Sequence, residues 1–350
     1  MSSMFHLRAR KELGRNAWDA FADASDEAWL WHRYDLQEAL ETWPGSVDES
    51  FALMEPAGER TLALVPLRRV TKRVAGFLPI HILESFGGVV IGNGLGEKRR
   101  RSILAAVGDQ LIARMRNGIC LEGRISLPAM APAIRGIDGP RVNPLLEMGC
   151  ENTLTQTWVV DLRAGQEAVW NQMEGRARTA VRKAEKAGVT VRAAGPNDRP
   201  IYYRLHRETY RRTGVPPHSE DYFGAIWDRF IAKGLARVWV AELDGEPVAA
   251  ENFGIYKGAA VYWTGAANAK GLEVEANSLL QWTAMQWMLD NGIEWYETGE
   301  AFPQFHAGKN KGVSDFKKSF GGSLYPYYKG RLSAGTVWER LYRCVQGYRR

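Results

Sequence analysis

The sequence predicts an α+β protein of two domains in tandem, each a mixed, mostly antiparallel sheet flanked by helices. Two stretches with one layout carry this expectation. Phe51–Val70 (FALMEPAGERTLALVPLRRV) reads as a strand, a Pro/Gly turn and a second strand of alternating apolar residues. Arg237–Ala266 (RVWVAELDGEPVAAENFGIYKGAAVYWTGA) reads as three strands punctuated by Asp244-Gly245 and Lys257-Gly258, a meander. Amphipathic helices flank both stretches in the same order, as a duplicated unit would require.

Ahead of the first stretch, helical spacing of apolar residues covers Trp18–Ala24 and Tyr34–Trp43, and after it Arg101–Arg116. Ahead of the second come Gln166–Met173, Arg176–Ala187, Pro200–Thr213 and Asp221–Lys233, and after it Asn277–Asn291. Gly214 stops one of these helices and Ser219 caps the next. Ser278 and Gln281 stand at capping-box spacing, with Asn277 as the other candidate cap and Asn291-Gly292 as the stop. The core face of that helix is Leu280, Ala284, Trp287 and Met288. A strand over Ile293–Thr298, the loop GEAFPQFHAGKNKG and the segment SDFKKSFGG (Ser314–Gly322) follow. The polar stretch Gly149–Thr155 marks a boundary, giving domains at 1–150 and 151–335 and a basic C-terminal tail at 336–350.

Composition fits this division. The chain has 350 residues, 45% apolar and 25% charged, enough to build two cores. Aromatic residues reach 11%, more than packing alone needs, so some are expected to line a groove. The net charge of +6, from 46 Lys+Arg against 40 Asp+Glu, is modest, so its location matters more than its size. Basic clusters lie at Leu67–Arg73, Lys98–Arg101, Gly175–Lys186 and Lys329–Arg350. An anionic partner fits them: nucleic acid, a nucleotide-linked substrate or a lipid headgroup. Solvated faces explain the first, second and last equally well. Cys120, Cys150 and Cys344 match no metal or redox spacing, and His206 and His218 have no partner at metal-ligand or triad spacing. No metal is expected. The start has no apolar leader and no apolar run reaches 18 residues, so a cytoplasmic protein is expected.

Three motifs invite chemistry. Arg178, Arg182 and Lys186 recur at i, i+4 and i+8, where like charges repel unless an anion lies against them. They form either a solvated face beside Glu185 or a phosphate-binding stripe. Arg212 ends a helix just before Gly214, where a cation stabilises the helix dipole. In SDFKKSFGG, Phe316 and Phe320 are four apart, so a helix would turn both rings one way and hold Lys317 between them. The simplest reading is a turn anchored by its rings, with Lys317 and Lys318 in water.

Four stretches together resemble the FemABX family of aminoacyl-tRNA-dependent peptidyltransferases, built from two GNAT-like (acyl-CoA N-acyltransferase) domains: GRARTAVRKAEKAGVTV, ETYRRTGVPPHSEDYF, YWTGAAN with NSLLQWTAMQWMLDNGIEWYETG, and FKKSFGG. The resemblance covers about the last 180 residues; the first half is similar in layout only. It implies that Lys317, with Phe316 before it, lies at the reacting ester and supports the oxyanion of an amine attack, worth about 3 kcal/mol. It implies that Arg212 engages the acceptor, and that Arg178, Arg182, Lys186 and Lys318 hold anionic parts of substrate. Tyr262 and Trp263, on the last meander strand, are groove or core residues. The two glycines after Phe320 let the chain pass close to substrate. Glu297, Glu300 and His306 are candidate bases, and the family's usual residue near Glu297 is Asp. The implied co-substrate is aminoacyl-tRNA, held at its acceptor end, with no bound cofactor. The implied acceptor is an amine of a nucleotide- or lipid-linked cell-wall precursor such as that of peptidoglycan. The basic tail adds a weak, salt-sensitive contact with the inner face of the membrane.

Two other readings compete. A GNAT N-acetyltransferase of polysaccharide or metabolite biosynthesis would use acetyl-CoA, whose pyrophosphate is normally held by R/Q-x-x-G-x-G/A at a helix start. Asn268–Asn277 (NAKGLEVEAN) has one glycine, and IGNGLGEKRRR has Val89 or Ile91 where Arg or Gln is required. The third reading is a non-catalytic RNA- or envelope-binding adaptor, against which the intact FKKSF stands.

Overall fold

The computed structural model describes residues 5–58, 60–74, 77–136, 139–302, 305 and 307–347. They form two compact units, Met1–Leu154 with Tyr327–Arg350, and Thr155–Pro326.

In the second unit a seven-stranded sheet runs in the order Thr190–Ala193, Ala236–Leu243, Glu246–Tyr256, Ala259–Ala267, Trp295–Ala301, Thr155–Asp161, Ser323–Tyr327. The meander forms as expected. Asp244, Gly245, Lys257 and Gly258 all take positive φ, the conformation of two-residue hairpin turns. Ala259–Val261 then runs parallel to Trp295–Glu297, joined through the helix Ala276–Asp290. That helix and Gly175–Lys186 cover one face of the sheet, burying Val181, Ala184, Phe253, Leu280, Ala284 and Met288 in one core. Each large apolar side chain so buried contributes about 1.5–3 kcal/mol. The helix Arg199–Thr213 covers the opposite face, where the Tyr202 hydroxyl donates to the Thr264 carbonyl at 3.1 Å.

The first unit divides its strands between two sheets rather than one. The first sheet has the order His6–Ala9, Phe51–Met54, Thr61–Val65, Val90–Ile91. The second has the order Ser46–Asp48, Arg68–Val74, Leu78–Ser85, Cys120–Ser126, Lys329–Leu332, Glu151–Asn152. Pro66 has no N–H for a ladder, and the chain changes sheets there, between Thr61–Val65 and Arg68–Val74. The helix Glu97–Arg116 packs Val107, Leu111 and Met115 into the core of this unit.

The C-terminal boundary is corrected. Residues 327–335 were assigned to the second domain, yet Lys329–Leu332 pairs with Cys120–Ser126 and Glu151–Asn152 and buries Leu332 in the first unit's core. The expected basic tail is a helix, Val337–Gly347. Its Glu339 is 2% exposed and accepts from Ser333 Oγ at 2.6 Å and from the Ala334 and Gly335 amides at 2.8 and 2.9 Å. It fastens the helix instead of balancing a solvated tail. Arg349 and Arg350 lie outside the described residues. Among the described residues no helix is long and apolar enough to cross a membrane.

Candidate active site

A wedge opens in the second unit's sheet. Among the described residues, the strands Ala259–Ala267 and Trp295–Ala301 pair only over Ala259–Val261 and Trp295–Glu297. Past that point each runs on beside its other neighbour. At the free end of Ala259–Ala267 lies a pocket of about 250 Å3 lined by Thr209, Arg212, Tyr262, Glu275, Asn277 and Phe316. The structure thus brings three residues singled out in the sequence, Arg212, Tyr262 and Phe316, to one cavity.

Arg212 closes the helix Arg199–Thr213, which ends on left-handed Gly214 as expected. Its Nη1 donates to the Ala267 carbonyl at 2.9 Å, so the guanidinium is anchored at the pocket rim. The helix Ala276–Asp290 begins on the same rim. The positive end of a helix dipole and an anchored arginine together suit an anionic group of a substrate.

The helix Gly308–Ser319 carries the FKKSF segment. Phe316 and Phe320 meet edge to face at 4.9 Å, with Phe320 fully buried, so the rings do anchor the segment. Lys317 is turned from the pocket of Phe316 toward the other lip of the wedge. Its Nζ donates to the Glu300 carbonyl at 3.1 Å, 5.3 Å from the Phe302 ring centroid. It lies over Gly299, where a Cβ would stand 2.8 Å from Nζ. Lys318 is exposed, 3.7 Å from Glu174. The double glycine is a correction: Gly321 and Gly322 take φ of +88° and +84°, and a Cβ on either would press on the backbone of Gln172 or Val159. They let the chain pass its own sheet, not a substrate.

The basic helix Gly175–Lys186 is also redistributed. Arg178 donates through Nη1 to the carbonyls of Trp170, Asn171 and Met173 at 3.3, 2.9 and 2.8 Å, capping the end of the helix Gln166–Gln172. It is a structural residue. Arg182 lies 5.4 Å from the Trp170 ring centroid, and Lys186 is exposed. Two cations that sequence spacing passed over approach the pocket's surroundings: Arg176 donates to the Asp315 carbonyl, and Lys183 stands 3.9 Å from Glu275. Only the placement of the helix Gly308–Ser319 and of Glu275 singles them out.

The missed residue at the centre is Glu251. It is 0% exposed on the strand Glu246–Tyr256 and accepts from Asn277 Nδ2 and Gln281 Nε2, both at 2.8 Å, and from the Tyr262 hydroxyl at 3.3 Å. Burial pushes its carboxyl up to about 8, against the pull of those donors. The expected capping residues are therefore put to another use. The N-cap is Glu275 at φ +60°, two residues before Asn277 and three before Ser278, and Asn277 and Gln281 face the buried carboxylate. Gly265 permits this arrangement, because a Cβ there would collide with the Tyr262 hydroxyl.

The expected bases fare differently. Glu297 is buried and accepts from Thr157 Oγ1 at 2.7 Å. Its neighbour Tyr296 reaches Gln281, so alternation turns Glu297 to the face opposite Gln281 and Glu251, and it does not line the pocket. Glu300 accepts from Thr155 Oγ1 at 2.9 Å. His306 lies outside the described residues. Trp263 packs edge to face on Phe230 and does not line the pocket, because strand alternation turns it from the face of Tyr262. His206 is fully buried and accepts from the His218 amide at 3.1 Å; burial lowers its imidazole to about 3, keeping it neutral. Among the described residues no group of His, Cys, Asp or Glu side chains is placed to hold a metal ion.

Comparison with known proteins agrees with this architecture. Residues 172–318 match the family model of the acetyltransferase (GNAT) domain. The crystal structure of FemX is similar with a TM-score of 0.70 at 15% identity, covering 97% of this chain and 99% of that one. A tandem GNAT protein from the clavulanic acid biosynthesis pathway gives 0.56 at 13% identity, covering 95% and 99%. The C-terminal domain of a putative lysylphosphatidylglycerol synthetase from Agrobacterium fabrum gives 0.55 at 15% identity, covering 88% and 90%. No curated protein matches the sequence. The chain carries tandem GNAT-like domains, a fold similar to that of FemX.

Proposed function

We propose that the protein is an N-acyltransferase that moves an amino acid from aminoacyl-tRNA to an amine of a nucleotide- or lipid-linked envelope precursor. One observation carries the reading: Arg212, Tyr262 and Phe316 meet at one lip of the sheet wedge and Lys317 lies on the other, on a fold similar to that of FemX. The acceptor's anionic part binds at Arg212 and the start of the helix Ala276–Asp290. The neutral amine attacks the ester carbonyl, and Lys317 stabilises the oxyanion that forms. The amine nitrogen passes its proton to the Tyr262 oxygen as the Tyr262 hydroxyl gives its own to Glu251. The ester C–O bond then breaks, and Glu251 returns its proton through the Tyr262 hydroxyl to the leaving ribose oxygen. A carboxyl near pH 8 is matched to that exchange.

The family match to an acetyltransferase domain favours a second reading, acetyl transfer from acetyl-CoA. A donor assay separates the two. Purified protein is given envelope precursors with either radiolabelled aminoacyl-tRNAs or acetyl-CoA. Label transferred only from aminoacyl-tRNA is the expected result; transfer from acetyl-CoA alone overturns the proposal.

A further inference from the structure

The first unit holds a larger cavity, about 730 Å3, on the face of its six-stranded sheet that turns away from the helix Glu97–Arg116. Strand alternation sends Leu83, Ile125 and Leu332 into the core with that helix, and turns Glu84, Arg124 and Arg331 into the cavity. The floor is one rung of charge across five strands. Arg68 pairs with Glu84, Glu84 with Arg124, Arg124 with Arg331 and Arg331 with Glu151.

The ends of this rung are neutralised. Arg68 Nη2 lies 2.7 Å from Glu84, and Arg331 Nη2 lies 3.0 Å from Glu151. Arg124 is 3.6 Å from Glu84 and donates through Nε to Glu122 at 2.7 Å. The middle sets two cations side by side, each already holding a carboxylate of its own. Arg124 and Arg331 stand directly opposite each other in an antiparallel pair, where like charges destabilise a sheet. Lys329, two residues before Arg331, lines the same cavity opposite Ser126. Aromatic walls rise from this floor: Phe86, 40% exposed, with Tyr327 and Tyr342.

We infer that this cavity binds a small molecule in which an oxyanion, carboxylate or phosphate, is joined to a planar ring. The oxyanion takes the donors that Arg124 and Arg331 leave after Glu122 and Glu151, with Lys329 beside them. The ring rests against Phe86 and the two tyrosines. The volume lies within the range of about 300–1,000 Å3 typical of small-ligand sites. The inference is independent of the proposed acyl transfer, since none of these residues belongs to the second unit's pocket.

Isothermal titration calorimetry on the full chain tests it, with phenyl phosphate as the phosphate probe and 4-hydroxybenzoate as the carboxylate probe. At least one probe is expected to bind with one-site stoichiometry, and the probe that binds identifies the oxyanion. Arg331→Gln and Arg124→Gln should each weaken binding about tenfold or more, the loss of a charge-assisted contact. Arg212→Gln, in the other pocket, should leave it unchanged. Should the Arg124 variant fail to fold, Arg331→Gln and Phe86→Leu carry the test. Absence of binding by both probes, or binding abolished by Arg212→Gln and untouched by Arg331→Gln, overturns the inference.

Discussion

Arg178 and Arg212 are both near helix ends, and the structure gives them opposite uses. Arg178 donates to three carbonyls at a helix end, whereas Arg212 gives one donor to Ala267 and lines the pocket. Arg178→Gln should lower stability by about 1–3 kcal/mol in urea unfolding and leave the acceptor KM unchanged. Arg212→Gln should do the reverse, raising that KM with little effect on unfolding. Glu251 has a pH signature of its own. Its folded-state carboxyl lies at about 8, above its unfolded value, so folding takes up a proton. The stability it contributes is present below the unfolded carboxyl range and is lost as pH rises through about 8. Glu251→Gln should flatten that loss in melting curves between pH 6.5 and 9. The same change should cut transfer about 10²–10⁴-fold and remove the rise of rate with pH near 8. His206 acts at the other end: held neutral with a value near 3, it contributes stability above the unfolded histidine value that is lost as pH falls toward 3.

At the scale of elements, local chemistry was legible and long-range use was not. The turns at Asp244-Gly245 and Lys257-Gly258, the Gly214 stop and the Ser219 cap all follow from backbone requirements of their own residues. Asn277 and Gln281 match a capping pattern equally well, but a buried carboxylate about 30 residues upstream claims them. Nothing in a strand reading VAAENFG separates a solvated Glu from a buried one; Glu251 becomes visible only when the strand occupies the middle of the sheet. The double glycine was recognised as a close approach but assigned the wrong neighbour. Gly322→Ala should cost about 3 kcal/mol, from the strain of positive φ and contact with the Val159 backbone, read as a lower urea midpoint.

Across the whole molecule, tandem mixed sheets with flanking helices were readable because each half repeats the same strand-and-helix order. The return of the chain to the first unit was not, since Lys329–Leu332 is a four-residue strand whose partners lie about 180 to 210 residues earlier. Truncation after Pro326 should therefore strip amide exchange protection from Cys120–Ser126, although a dispensable basic tail would leave it intact. In the proposed transfer, Lys317, on the wedge lip opposite Tyr262, supports the tetrahedral intermediate. The most direct measurement is single-turnover transfer from radiolabelled aminoacyl-tRNA to the precursor, for the wild type and Lys317→Ala at saturating substrate. The rate is expected to fall by about 10²–10³-fold with substrate binding retained. Equal rates for the two proteins would contradict it and leave the double lysine as a surface turn held by Phe316 and Phe320.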